Sequence, residues 1–243
     1  MTQLIQLLRD NAQQQHRVRA ESSATGTNVY VEGVISADWG VSAADLRAAF
    51  TQADGKDVAL HINSPGGDAF EGRAMQAVIA GYSGKVTAIV EGVAASAATL
   101  LVMAAAEAQI VQGSRLMIHN GWTLAIGDRN AMLEMHQLLA SFDAELAAEY
   151  ARHTGGDAAH MTALMDAETW FTADEAKDAG FVDSVIKAPD TSASKAARWN
   201  LSAYANAPKP ADRPPPTDDE ITARAANVSR VNRSRLAALL TRT

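Results

Sequence analysis

Three short segments carry residue types that could attack a carbonyl. Asn63-Ser64-Pro65-Gly66-Gly67 stands where a strand-like run meets a helix-like one. Its two glycines permit backbone angles closed to other residues and let amides come close to a ligand. Gly92-Val93-Ala94-Ala95-Ser96-Ala97-Ala98 puts a serine among very small neighbours at the entrance to an apolar helix. The small neighbours leave room for a substrate, and the helix dipole favours negative charge developing beside Ser96. Arg115-Leu116-Met117-Ile118-His119 ends an apolar strand on a histidine, a residue able to act as general base. Each segment also has an ordinary explanation. Ser64-Pro65-Gly66-Gly67 is a common tight turn, Ser96 could be a helix N-cap, and His119 could be a satisfied core residue. The serine is not in a Gly-x-Ser-x-Gly elbow, because Ala94 and Ala98 hold its glycine positions. Among the other histidines, His61 is the weaker alternative base. His16 lies in an N-terminal arm, His136 on a helix, and His153 and His160 flank Gly155-Gly156.

The elements that would position these residues alternate. Strand-like runs are expected at 28–35, 57–63, 85–90, 109–111, 115–119 and 181–186. Helices are expected at 42–50 with Ser42 as N-cap, from the glycine turn to Tyr82, and at 96–106, 128–153, 157–165 and 172–179. Strands joined by helical crossovers indicate a largely parallel α/β core. In the long helix, Met135, Leu138, Leu139, Phe142, Leu146 and Tyr150 recur at helical spacing. Residues 1–27 read as a flexible arm, 28–187 as the folded domain, 188–220 as a proline-rich linker, and 221–243 as a basic helical tail.

The 243 residues are enough for one full core, and a formal charge of −7 argues against nucleic-acid binding by the core. With no cysteine there is no disulfide, thiol nucleophile or thiolate metal site, as suits a cytoplasmic protein. No histidine and acid spacing suggests a metal site, so no metal and no cofactor is expected. The apolar stretch 86–106 is broken by Glu91, Gly92 and Ser96, which argues against a membrane span; the N-terminus lacks a secretory signal pattern.

Together the three segments resemble the Clp peptidase proteolytic subunit. Ile62-Asn63-Ser64-Pro65-Gly66-Gly67 is similar to that family's glycine turn, Ala94-Ala95-Ser96 to its nucleophile segment and Met117-Ile118-His119 to its base segment. Thr169-Trp170-Phe171-Thr172-Ala173-Asp174-Glu175-Ala176, followed by Gly180-Phe181-Val182-Asp183, is similar to its closing helix and strand. The resemblance runs in order from about Val29 to Ile186. Within the family the chain looks closest to Clp-like head-maturation (prohead) proteases of tailed phages. The motifs are Asp68-Ala69-Phe70-Glu71-Gly72 after the glycine turn, Asn120-Gly121-Trp122 after His119, and Ala167-Glu168 before Thr169.

The resemblance implies a Clp/crotonase-type spiral of mostly parallel strands and helices with a protruding handle helix. It implies a serine endopeptidase, with Ser96 as nucleophile, His119 as base and Glu168 where the family has Asp; Asp166 is the runner-up for that acid. It places the oxyanion hole at the amides of Gly67 and Ala97. An extended polypeptide would pair with Asp68, Ala69 and Phe70 and with the run containing Asn120, Trp122 and Leu124, with Trp122 as a groove wall. The apolar stripe of the long helix points to a homo-oligomer, and the resemblance implies a ring acting on capsid or scaffold polypeptides. Activity is expected to rise through about pH 6.5–7 as imidazole loses its proton. Competing readings are a Clp peptidase core fed by an ATP-driven unfoldase, a coenzyme A hydratase or isomerase of the same superfamily, and a catalytically silent capsid assembly protein.

Overall fold

Between residues 27 and 32 every second side chain (Thr27, Val29, Val31) is buried, the period-two mark of a strand with one face in the core. The same alternation opens two further strands, and these three make the centre of the molecule. The computed structural model describes residues 3–11, 14, 16–22, 26–187 and 199–208.

In chain order the elements are α1 (Gln3–Asn11), β1 (Arg17–Ser22), β2 (Thr27–Glu32), α2 (Ala43–Ala53), β3 (Val58–Ser64), α3 (Ala69–Ala80), β4 (Val86–Ala95) and α4 (Ala98–Met103). They continue as β5 (Glu107–Val111), β6 (Arg115–Ile118), α5 (Arg129–Thr154), α6 (Ala158–Asp166), β7 (Thr169–Phe171), α7 (Ala173–Asp178) and β8 (Ser184–Ile186). The sheet order is β1-β2-β3-β4-β5-β8, with β6 on β4 and β7 on β6. All pairings are parallel except β1 with β2 and β6 with β7. This is the mostly parallel α/β architecture expected.

β4 organises the site because it changes neighbours along its length. Thr87 to Val90 pair with β5, whereas Val93 to Ala95 pair with β6. Gly92 stands at the switch with φ 123, and its amide donates to Ser114 Oγ at 2.8 Å. The main core lies between the sheet and α2, α3, α4 and the C-terminal half of α5, with Leu46, Leu60, Met75, Leu101 and Tyr150 fully enclosed. A smaller cluster on the other side joins Leu7, Val93, Ala95 and Met117 to Trp199, Ala203 and Tyr204.

Several expectations need correction. Residues 1–27 include a helix and a strand: Leu7 is buried, and β1 pairs antiparallel with β2 from Arg17 opposite Glu32 to Ser22 opposite Thr27. The run 92–95 is the end of β4 and not a turn, and α4 starts at Ala98 and not at Ser96. Residues 199–208, expected within a linker, pack on the body through Trp199 and Tyr204. The rest of that linker and the basic tail 221–243 lie outside the described residues. Elsewhere the local signals act as read: Ser42 caps α2 in a capping box with Asp45, and Gly155 ends α5 at φ 70.

Candidate active site

Because β4 and β6 are parallel, with Ala95 beside Met117, the residues following both strands emerge at one edge of the sheet. Ser96 follows β4 and donates its amide to Met117 O at 2.9 Å. His119 lies just beyond β6, and its Nε2 is 2.8 Å from Ser96 Oγ. A neutral imidazole protonated on Nδ1 accepts the serine proton in this arrangement. Ser96 is not an N-cap: the capping position of α4 is Ala97, which makes no side-chain bond. Ser96 instead has φ 54, a left-handed conformation costing a non-glycine residue about 1 kcal/mol. Its carbonyl is held by Thr99, from the amide at 2.9 Å and the hydroxyl at 2.7 Å. Thr99 Oγ1 is in turn 2.7 Å from the hydroxyl of Tyr150 on α5.

The glycine turn presses against this nucleophile. A Cβ on Gly66 would lie 2.5 Å from Ala95 O and 2.9 Å from Ser96 Cβ. Ile35 bonds on either side of Gly67, donating to Gly66 O and accepting from Asp68 N, each at 2.8 Å. That pairing leaves the amide of Gly67 facing the other way, towards the cleft it lines beside Ser96 and Ala97. Neither the Gly67 nor the Ala97 amide donates to an acceptor among the described residues, so both are available to a substrate oxygen.

The acid arrives by register. β7 runs antiparallel to β6 with Thr169 opposite Ile118, so the preceding Glu168 falls beside His119. Its carboxylate does not bond the imidazole. Oε1 accepts from Trp170 Nε1 at 3.2 Å and Asn206 N at 2.6 Å, and Oε2 accepts from Ala205 N at 2.9 Å. Asp166 is engaged elsewhere, accepting from Asn120 Nδ2 at 2.7 Å. His119 is only 7% exposed. Burial pushes its imidazole down to about 4, against the opposing pull of the Glu168 charge, which moves the expected transition below pH 6.5–7.

A cleft of about 370 Å³ opens beside Ser96, with Gly67, Phe70, Leu100, Leu139, Phe142 and Trp122 in its lining. Trp122 packs edge-on to His119 with ring centroids 4.5 Å apart and lines this cleft. Asp68 and Ala69 also line the cleft, but strand pairing at 68–70 is not available. Asp68 N is bound to Ile35 O, Asp68 Oδ1 caps α3 by accepting from Phe70 N at 2.8 Å, and Ala69 and Phe70 belong to that helix. Phe70 offers its ring instead. Asn120 is turned to Asp166, and Leu124 lies in a separate surface hollow with Ile126 and Ala131. The weaker base, His61, bonds Glu91 at 2.8 Å and stacks on Tyr30.

Three contributors were missed in the sequence. Tyr204 sits edge-on to His119 at 5.3 Å and donates its hydroxyl to Pro65 O. Trp170 holds Glu168, and Asp143 of α5 accepts the Gly121 amide at 2.7 Å, fixing the loop after His119. A signal for the first did exist: Trp199 and Tyr204 are the aromatic residues in an otherwise proline-, alanine- and polar-rich stretch. Among the described residues no group of three or more His, Cys, Asp or Glu could hold a metal ion, and no helix is long and apolar enough to cross a membrane.

Residues 35–189 match the Clp protease family model. The chain is 34% identical over 134 residues to the ATP-dependent Clp protease proteolytic subunit of Bacteroides thetaiotaomicron, covering 54% of this chain and 61% of that protein. It is 33% identical over 134 residues to that of Bacteroides fragilis, covering 54% and 65%. Subunit 2 of the Rhodococcus jostii enzyme is 32% identical over 133 residues, covering 54% and 68%. The chain thus spans somewhat under two thirds of the length of the Bacteroides relatives.

Proposed function

The chain belongs to the Clp protease family, and on that premise we propose that it is a serine endopeptidase working through an acyl-enzyme. The carrying observation is the 2.8 Å contact between Ser96 Oγ and His119 Nε2 at the mouth of an apolar cleft. His119 takes the Ser96 proton as Oγ attacks the scissile carbonyl, and the oxyanion is received by the Gly67 and Ala97 amides. His119 then gives the proton to the leaving amine, and water repeats the sequence to release the acid. Glu168 stabilises the imidazolium through space from its place beside His119. The substrate is a polypeptide, laid extended along the run after His119, where the Trp122 ring borders the cleft.

Labelling with a fluorophosphonate probe, read by mass spectrometry, tests this reading. Ser96 should be modified, the label should vanish in Ser96→Ala, and it should fall about a thousandfold or more in His119→Ala. Intact assembled protein that takes no label at any pH from 5 to 9 would remove the peptidase assignment.

The finer reading is a homo-oligomeric ring that matures a phage procapsid. Its support is the run of motifs from Asp68-Ala69-Phe70-Glu71-Gly72 to Ala167-Glu168. The names of the relatives favour a second reading, a peptidase core served by an ATP-dependent partner. Cleavage of procapsid proteins by the isolated protein without ATP would select the first. Degradation of a folded substrate only with an unfoldase and ATP would select the second.

A further inference from the structure

We infer that residues 199–208 are an internal occupant of the leaving-group side of the Ser96 site, which keeps the enzyme latent towards substrates extending beyond the scissile bond until the segment is displaced. This rests on the peptidase reading above. In that chemistry His119 must hand its proton to the departing amine, so the amine and the residues after it lie against the imidazole. That place is already filled. The Tyr204 ring meets His119 edge-on at 5.3 Å, packs against Trp122 at 4.9 Å and meets Trp170 at 5.7 Å. Its hydroxyl donates to Pro65 O, in the glycine turn itself. The cleft beside Ser96, lined by Gly67, Phe70, Leu100 and Phe142, stays open and is bounded by His119, Trp122 and Tyr204. The acyl side of a substrate has a place to sit, and the amine side does not.

The segment is fastened at both ends by groups of the site. Trp199 Nε1 donates to Asn63 Oδ1 at 3.0 Å, next to the glycine turn. Asn200 exchanges bonds with the Asn11 side chain at 2.7 and 2.9 Å. At the other end the amides of Ala205 and Asn206 take both oxygens of Glu168, and Asn206 Nδ2 donates to Ala167 O at 2.8 Å. The acid that the chemistry needs beside His119 is therefore bound by the occupant. These last contacts are solvent-exposed, where each bond contributes little net free energy, and 199–208 contains no helix or strand to stiffen it. A competing polypeptide that offers its own amides and an aromatic ring could replace them.

The test compares two substrates on the full chain and on the variants Tyr204→Ala and Asn206→Asp. The first is an acyl thioester with a small leaving group; the second is a peptide carrying the same acyl residues and four residues beyond the scissile bond. Asn206→Asp lies on the surface, loses the donor to Ala167 O and sets a carboxylate against Glu168, so it unfastens the segment without emptying the apolar cluster. The expected result is about a tenfold or greater gain in kcat/KM for the extended peptide relative to the thioester in both variants, with the thioester itself changed less than about threefold in Asn206→Asp. Equal turnover of the extended peptide by the native chain and the variants would overturn the inference, as would an equal fall on both substrates. Carbethoxylation of His119, followed by mass spectrometry, needs no catalysis and separates the two claims. Absent fluorophosphonate labelling with His119 newly modified in the variants would sink the peptidase reading and keep the cover. Labelled Ser96 with His119 equally reactive in all three proteins would do the reverse.

Discussion

At the residue scale, burial and charge act on His119 in opposite directions, and burial is the larger. With the imidazole held down to about 4, the base is already neutral through the neutral range. The rate of Ser96 labelling should therefore rise through about pH 4–5 and be flat from about 6 to 8; a midpoint near 6.5 would show a solvated imidazole in the reactive form. The same group affects stability. An unfolded imidazole titrates near 6.5, so between about 6.5 and 4 the unfolded chain binds more protons than the folded one. Stability should fall as pH drops through that window, by at most about 3 kcal/mol, and His119→Gln should remove that component from thermal unfolding measured against pH. Ser96, His119 and Gly67 were candidates in the sequence because small residues, a strand-ending histidine and paired glycines are local signals, and their roles came from the ordered resemblance of the three segments to one family. Tyr204 stood out only as an aromatic in a polar stretch, because its role depends on a return of the chain across about a hundred residues to the two strand ends, which no local pattern encodes.

At the element scale, the nucleophile is braced by α5. Thr99 donates to Ser96 O, which leaves the Tyr150 hydroxyl to donate to Thr99 Oγ1 in the buried interior. Burial also raises the phenol of Tyr150 far above its ordinary value, so it stays a donor at all working pH. The order of this relay makes its two ends unequal. Tyr150→Phe removes the outer bond and should cost about 1 kcal/mol in denaturant unfolding, with a few-fold loss of labelling rate. Thr99→Val strands the phenol and takes one of the two donors from the Ser96 carbonyl, leaving the backbone amide, and should cost about 2–3 kcal/mol with a larger loss of rate. Equal effects of the two would show that the bonds do not run in series. Helices such as α2 and α5 were legible because their caps and apolar periods lie within their own sequence. β7 was not: three residues gain strand form only by pairing with β6, and that pairing is what brings Glu168 beside His119. The end of β4 was read as a turn because Gly92 and its alanines are poor strand formers, yet pairing with β6 keeps them extended.

At the scale of the whole molecule, α5 divides into two halves. Leu146, Ala147, Tyr150 and Ala151 are buried in the core, whereas Met132, Leu133 and Leu138 near its start are exposed. Leu124 and Ile126, the latter 85% exposed, extend that apolar surface in the loop before the helix. The stretch from Arg129 to Phe142 would project by about 20 Å at the rise of an α-helix, long enough to lie against the same helix of a second copy. Exposed apolar groups gathered on one projecting element are the mark of an association surface, and a symmetric pair of handles would cover them without a further partner. A carboxylate introduced there would be desolvated by the second copy, and only the one at 133 has a cation a turn away, Arg129. Leu133→Glu combined with Leu138→Glu should therefore lower the sedimentation coefficient at micromolar protein while thermal unfolding of the subunit changes little. Leu138 also borders the cleft beside Ser96. The variant alters only the apolar wall of the acyl side, which small thioesters and extended peptides share, and leaves the cover at Tyr204, so turnover should change on both substrates alike and their ratio should stay as in the native chain. A native chain that sediments as a monomer over the same range would remove the handle from this account and leave its apolar surface to another partner.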